Sequence, residues 1–75
     1  MDREEASEFI KNTLGTLRQH VTNRNVGGAR LESHMFNSAM DEYKPCLSSE
    51  KRKEYKNEYS EIMMQGGRSL LEIKL

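Results

Sequence analysis

The chain has 75 residues, of which 35% are hydrophobic and 32% charged, and its 12 basic and 12 acidic side chains give a net charge of zero. A chain of this length forms a single domain, residues 1–75, and folding buries only about 60% of the surface that the unfolded chain exposes. The balanced charge argues against a nucleic-acid-binding protein, because such proteins concentrate basic side chains on one surface.

So small a core usually needs reinforcement by disulfides, a metal ion or a second chain. The sequence contains a single cysteine, Cys46, which excludes a disulfide within the chain. His20, His34 and Cys46 lack the paired spacing of zinc ligands, so we expect no metal site. By elimination, we predict that the protein assembles as a homo-oligomer.

Membrane and export signals are not expected in this sequence. No apolar run approaches the length of a membrane span. The acidic opening MDREEASE is the opposite of the basic first region of a signal peptide. We therefore expect a cytoplasmic protein in which the thiol of Cys46 is reduced.

The first segment predicts a helix over about residues 3–24. Asp2 is the expected N-cap, and Glu5 stands three residues later, as in a capping box. The apolar side chains recur at the helical period of about 3.6 residues and so form one face. They are Ala6, Phe9, Ile10, Leu14, Leu17 and Val21.

A second helix is predicted over about residues 29–43, ended by Pro45. Its apolar stripe is wide, which indicates that the helix packs against more than one neighbour. We therefore expect part of this stripe to contact a second chain in the assembly. The expected interface residues on this helix are Met35, Phe36 and Met40.

A third helix is predicted over about residues 50–65, with Ser48 or Ser49 as its N-cap. Two consecutive glycines, Gly66 and Gly67, cost about 2 kcal/mol in a helix interior, so the pattern favours a break there. A tail, 68–75, then follows. Leu71, Ile73 and Leu75 alternate as in a short strand or docking tail, whereas a continued helix is the other possibility.

Two methionines at the end of the third helix, Met63 and Met64, are further interface candidates. They cannot both share one buried face with Tyr55 and Tyr59. Methionine is flexible and common on surfaces that accommodate irregular partners. We therefore expect one of the two to contact another chain.

The stretch NRNVGGARLESH, residues 23–34, has two interpretations. In the first, Gly27 caps the first helix and Gly28 lets the chain turn. In the second, the first amides of a helix that starts near Gly28 bind a nucleotide-like or phosphate anion, with Arg24 and Arg30 adding charge. The spacings GxxxxGK and GxGxxG of known phosphate loops are missing, so we favour the turn.

Other candidate sites are weaker. The basic run KRKEYK, 51–56, is interrupted by glutamates, and we interpret it as a solvated helix face. A helix–turn–helix pattern at 17–43 would present one arginine against three acids to DNA, which predicts repulsion. His20 and His34 flank the same turn, but nothing in the sequence fixes an acid–base geometry. We predict no catalytic residues and no cofactor.

Together these patterns predict an all-α, three-helix domain whose first two helices form an antiparallel hairpin. The expected function is that of a small non-enzymatic interaction or regulatory protein that binds and modulates a larger protein, for example a phage-encoded or accessory inhibitor. One alternative is a nucleotide-like anion binder or sequesterer that uses Gly27–Arg30. A second alternative is a DNA-binding regulator, although nucleic acid is an unlikely partner.

Overall fold

Three long helices account for most of the chain in the computed structural model, which describes residues 2–73. The all-α prediction with three helices is confirmed, and residues 2–73 contain no strand. A single turn of 3₁₀ helix, Lys44–Cys46, connects the second and third helices. The helices are α1 (Arg3–Thr22), α2 (Val26–Glu42), α3 (Ser49–Ile62) and a short α4 (Arg68–Leu71).

Side-chain caps determine where the long helices begin. The Asp2 carboxylate accepts a hydrogen bond from the Glu5 amide at 2.8 Å, and the Ser48 hydroxyl accepts one from the Lys51 amide at 3.2 Å. The sequence predicted Asp2, and Ser48 as one of two choices. The predicted start of α2 was wrong by three residues, because Asn25 caps this helix and places both glycines inside its first turn.

The first two helices form an antiparallel hairpin. His20, near the end of α1, lies beside Gly28 in the first turn of α2. At the other end of the pair, the rings of Phe9 and Tyr43 meet edge to face with centroids 6.2 Å apart. The connection between α1 and α2 is three residues long, which is within the range of helical hairpin loops.

The third helix completes the core by packing against this hairpin. The Phe36 ring of α2 stacks on the Tyr59 ring of α3, with centroids 4.6 Å apart and planes 3° from parallel. The Ser33 and Tyr59 hydroxyls share a hydrogen bond next to this pair. The largest fully buried side chains are Ile10, Leu14, Leu17, Phe36, Tyr55, Ile62 and Leu70.

Two predicted interface residues, Phe36 and Met40, lie in this core. Phe36 is 2% exposed and Met40 is 8% exposed, so neither is available to a second chain in the folded monomer. The wide stripe of α2 does meet more than one neighbour, as its width indicated, but the same chain provides them: α1, α4 and, through Tyr59, α3. The prediction that Phe36 and Met40 contact a second chain is therefore corrected: both side chains are buried within their own chain.

The chain bends sharply between α3 and α4. Gly66 has a φ of +121°, a conformation that an L side chain rarely adopts, so the break lies where the paired glycines predicted it. The bend returns the chain to the hairpin, and Leu70 is fully buried. Residues 68–71 of the predicted tail thus form a docked helix, and Leu75 of the proposed alternation lies outside the described residues.

Replacing the stacked Phe36 with alanine tests this packing. Phe36→Ala should lower the free energy of unfolding by about 3–5 kcal/mol, since it leaves a cavity between α2 and α3. Leu31→Ala, on the same helix but 58% exposed, is the control and should change it by less than about 0.5 kcal/mol. Urea unfolding followed by far-ultraviolet circular dichroism measures both, and equal effects would contradict the placement of Phe36 in the core.

Candidate functional site

The candidate site is the turn that joins α1 to α2, and its geometry begins with Arg24. Arg24 has a φ of +58°, and among residues 2–73 it is the one non-glycine with positive φ. Its amide donates to the Val21 carbonyl at 3.2 Å, and the Asn25 amide donates to the His20 carbonyl at 2.8 Å. These bonds form the left-handed cap in which helices commonly end, and glycine usually occupies its positive-φ position.

Asn25 links the end of α1 to the start of α2. Its side-chain oxygen accepts a hydrogen bond from the Gly28 amide at 3.0 Å, and its side-chain nitrogen lies 3.2 Å from Nδ1 of His20. One of the backbone amides that an anion would need is therefore already occupied by the protein's own side chain. The remaining unpaired amides at this terminus belong to Val26 and Gly27.

The two glycines have roles that differ from those predicted. Neither has positive φ, so Gly27 does not cap α1 and Gly28 does not make the turn. A Cβ added to Gly27 would meet only an ordinary contact 3.9 Å away. A Cβ added to Gly28 would lie 2.6 Å from Nδ1 of His20, so the missing side chain lets the two helices approach each other closely.

The predicted anion ligands are not brought together. Arg24 is exposed at the turn. The Arg30 guanidinium instead donates hydrogen bonds to the carbonyl oxygens of Leu71 and Ile73, at the end of α4. Arg30 therefore holds the C-terminal segment against α2, and its guanidinium is engaged there rather than at the amides of the turn.

The remaining predicted interface residues differ in exposure. Met35 is half-buried, and Met63 is half-buried and packs against the core. Met64 is 85% exposed, so only one of the two adjacent methionines faces inward, which agrees with the expected conflict on that face. Leu31 was not predicted as an interface residue, yet it is 58% exposed. Leu31 recurs at the helical spacing of the apolar stripe of the second helix, so the sequence pattern did not indicate that it is exposed.

Groups with catalytic or metal-binding chemistry are dispersed. His20 is engaged with Asn25, while His34 is exposed on α2. Within residues 2–73, no three His, Cys, Asp or Glu side chains are grouped as metal ligands would be. None of the helices in that part of the chain combines the length and apolar content required to cross a bilayer.

Comparison with models of known protein families, with curated proteins and with solved structures finds no match to this chain. The chemistry of its own surface is thus the basis on which a function can be proposed. Two kinds of surface are available: apolar side chains left outside the core, and charged side chains arranged around α3.

The two glycines provide a matched test of the turn. Gly27→Ala should raise the free energy of unfolding by about 0.5–1 kcal/mol. Alanine favours the helix more than glycine does, and there is open space at Gly27 for its methyl group. Gly28→Ala should lower it by about 1–3 kcal/mol, because the His20 ring must move away from the new methyl group. Thermal unfolding of both variants measures the difference, and a stabilising Gly28→Ala would contradict the close approach.

Arg24 provides a test of the left-handed cap. Arg24→Gly should raise the free energy of unfolding by about 0.5–1 kcal/mol. Glycine removes the left-handed backbone strain of about 1–2 kcal/mol, but its greater conformational entropy in the unfolded chain cancels part of this gain. Asn23→Gly is the control, since Asn23 has a φ of −86° and glycine offers no relief there. Chemical denaturation should show opposite signs for the two variants, and equal destabilisation would refute the assignment.

Proposed function

We propose that this protein is a small non-enzymatic interaction module that binds and modulates a larger protein partner. The supporting observation is the pair of large apolar side chains, Leu31 and Met64, that the fold leaves outside its core. These residues project from different helical segments: Leu31 from α2, and Met64 from the start of the bend after α3.

The core is complete without either side chain. Met63 already fills the inward position next to Met64, and Phe36 and Ala39 fill the inward positions of α2. Burying one Leu or Met side chain contributes about 1.5–3 kcal/mol relative to leaving it in water. A partner that covers Leu31 and Met64 thus gains binding energy that folding does not use.

The C-terminal segment lies against the part of α2 that includes Arg30 and Leu31. Arg30, the residue before Leu31, is bonded to the backbone at Leu71 and Ile73. Ile73 is itself a large apolar residue that is 36% exposed. The end of the described chain, with Ile73, lies next to the α2 turn that carries Arg30 and Leu31. A flexible methionine at Met64 suits a partner of irregular shape.

Self-association is the second form of this proposal. A domain with so small a core gains stability from a second copy, and the same exposed side chains are suited to that contact. Leu31 and Met64, rather than Phe36 and Met40, are then the residues that a second copy covers. The two forms differ in the mass of the purified protein.

Substituting the exposed apolar pair tests the proposal. Leu31→Ser combined with Met64→Ser should weaken partner binding at least about tenfold, because the two losses together remove more than about 1.4 kcal/mol of contact energy. The melting temperature should stay unchanged, since both side chains are exposed. Cross-linking and mass spectrometry of tagged protein from source cells would identify the partner, and surface plasmon resonance would measure its affinity.

The control carries Lys11→Ser and Asn12→Ser, two exposed positions on α1. It should bind as well as the unaltered chain. Light scattering separates the two forms of the proposal, because a monomer has a mass of 8.7 kDa. If the protein is an oligomer and the Leu31→Ser/Met64→Ser variant dissociates it while the control does not, these residues form contacts between copies. Unchanged partner binding by the same variant would refute their role.

A further inference from the structure

The charged side chains of α3 are sorted around the helix by sign. Arg52, Lys53 and Lys56 share one exposed face, because residues three and four apart lie on the same side of a helix. Glu54 and Glu58 lie on a different face, and each is paired with a cation outside the basic face. We define the basic stripe as Ser49, Arg52, Lys53, Lys56, Asn57 and Ser60, a set that contains no acid.

Glu54 within the run KRKEYK and Glu58 after it therefore lie off the stripe, and Glu50, three residues before Lys53, lies at its edge. Glu58 forms an ion pair with Arg18 of α1 at 3.4 Å, and Glu54 forms one with Lys51 at 3.3 Å. Within residues 2–73, no carboxylate lies within ion-pair distance of Arg52, Lys53 or Lys56. The positive charge of the stripe is thus available to an external partner.

A fourth cation, Lys44, extends the stripe toward α2. Lys44, Arg52 and Lys56 line a cleft of about 220 Å³ between the end of α2 and α3, where Asp41 is the one acid. Arg52 and Lys56 also line a second cleft of about 320 Å³ together with Lys53. The Arg52 guanidinium is oriented by a 3.2 Å hydrogen bond to the Ser49 hydroxyl, and its buried Nε has no acceptor.

We propose that the basic stripe, together with Lys44, is a docking surface for an acidic helical segment of a partner protein. Arg52 and Lys56 are four residues apart, or about 6 Å along the helix axis. Glutamates four residues apart on a partner helix have the same spacing. Arginine pairs with carboxylate through two parallel hydrogen bonds, and the lysines add point charges on either side.

The chemistry of this surface suits carboxylates better than nucleic acid. The whole chain is neutral, so it lacks the broad positive field that drives phosphate-backbone binding. The aromatic side chains of α3 are also engaged elsewhere, since Tyr55 is fully buried and Tyr59 stacks on Phe36. Neither ring can stack on an exposed base. The choice of a protein as the partner rests on the proposed function.

The test uses a fluorescein-labelled helical peptide with glutamate at every fourth position, and a matched peptide with glutamine at those positions. Fluorescence anisotropy at physiological ionic strength should show that the chain binds the glutamate peptide at least about tenfold more tightly than the glutamine peptide. Lys53→Gln combined with Lys56→Gln should reduce this affinity at least about tenfold. Circular dichroism should show unchanged folding, because both lysines are exposed.

The control variant carries Arg3→Gln and Lys11→Gln, which remove the same two charges from exposed positions on α1. It should bind the glutamate peptide within about twofold of the unaltered chain. Equal losses in the two double variants would overturn the proposal, because they would indicate general attraction between opposite charges. Failure to distinguish the two peptides would also overturn it.

Duplex DNA, duplex RNA and vesicles containing phosphatidylserine are measured in the same assay. If any of them binds more tightly than the glutamate peptide and loses affinity in Lys53→Gln/Lys56→Gln, the surface is assigned to that ligand and the proposal fails. The proposed function fails separately, through unchanged partner binding by the Leu31→Ser/Met64→Ser variant. Loss of binding in that variant without recognition of the glutamate peptide would overturn the docking surface alone.

Discussion

The close approach of α1 and α2 at His20 and Gly28 is the contact on which the rest of the fold depends. The chain reverses in three residues, and the His20 ring can lie against the first turn of α2 because Gly28 has no side chain. Asn25 reinforces the contact by bonding to both residues. Arg24 has a left-handed backbone conformation in the same turn. The surface that the two helices bury against each other offsets this strain.

The hairpin determines how the wide apolar face of α2 is divided. Part of that face packs on α1, where Tyr43 meets Phe9, and the rest packs on α4 and on Tyr59 of α3, which stacks on Phe36. This division buries Phe36 and Met40 within the single chain. It also brings the end of the described chain to α2, where Arg30 binds its carbonyl groups, so that a side chain suited to an anion becomes a structural tie.

The same packing leaves two kinds of side chain outside the core. One kind is apolar, at Leu31 and Met64, and the other is the basic stripe of α3. Apolar contacts contribute most of the energy of a protein interface, whereas complementary charges contribute orientation and specificity. A partner that contacted both would gain binding energy mainly from Leu31 and Met64 and specificity mainly from the basic stripe. This division suits the proposed role of binding a larger protein.

Local sequence was sufficient to predict three helices, the cap at Asp2, a cap at Ser48 or Ser49, and the break at Gly66, although the Asn25 cap of α2 was missed. Each follows from backbone hydrogen bonding and conformational preference within a few positions. Which apolar side chains of α2 are buried, and what Arg30 binds, depended on how the helices pack. A periodic pattern identifies an apolar face but not the neighbour that covers it, and the contacts of Phe36 and Arg30 join residues more than twenty positions apart, where the packing of whole helices sets the distance.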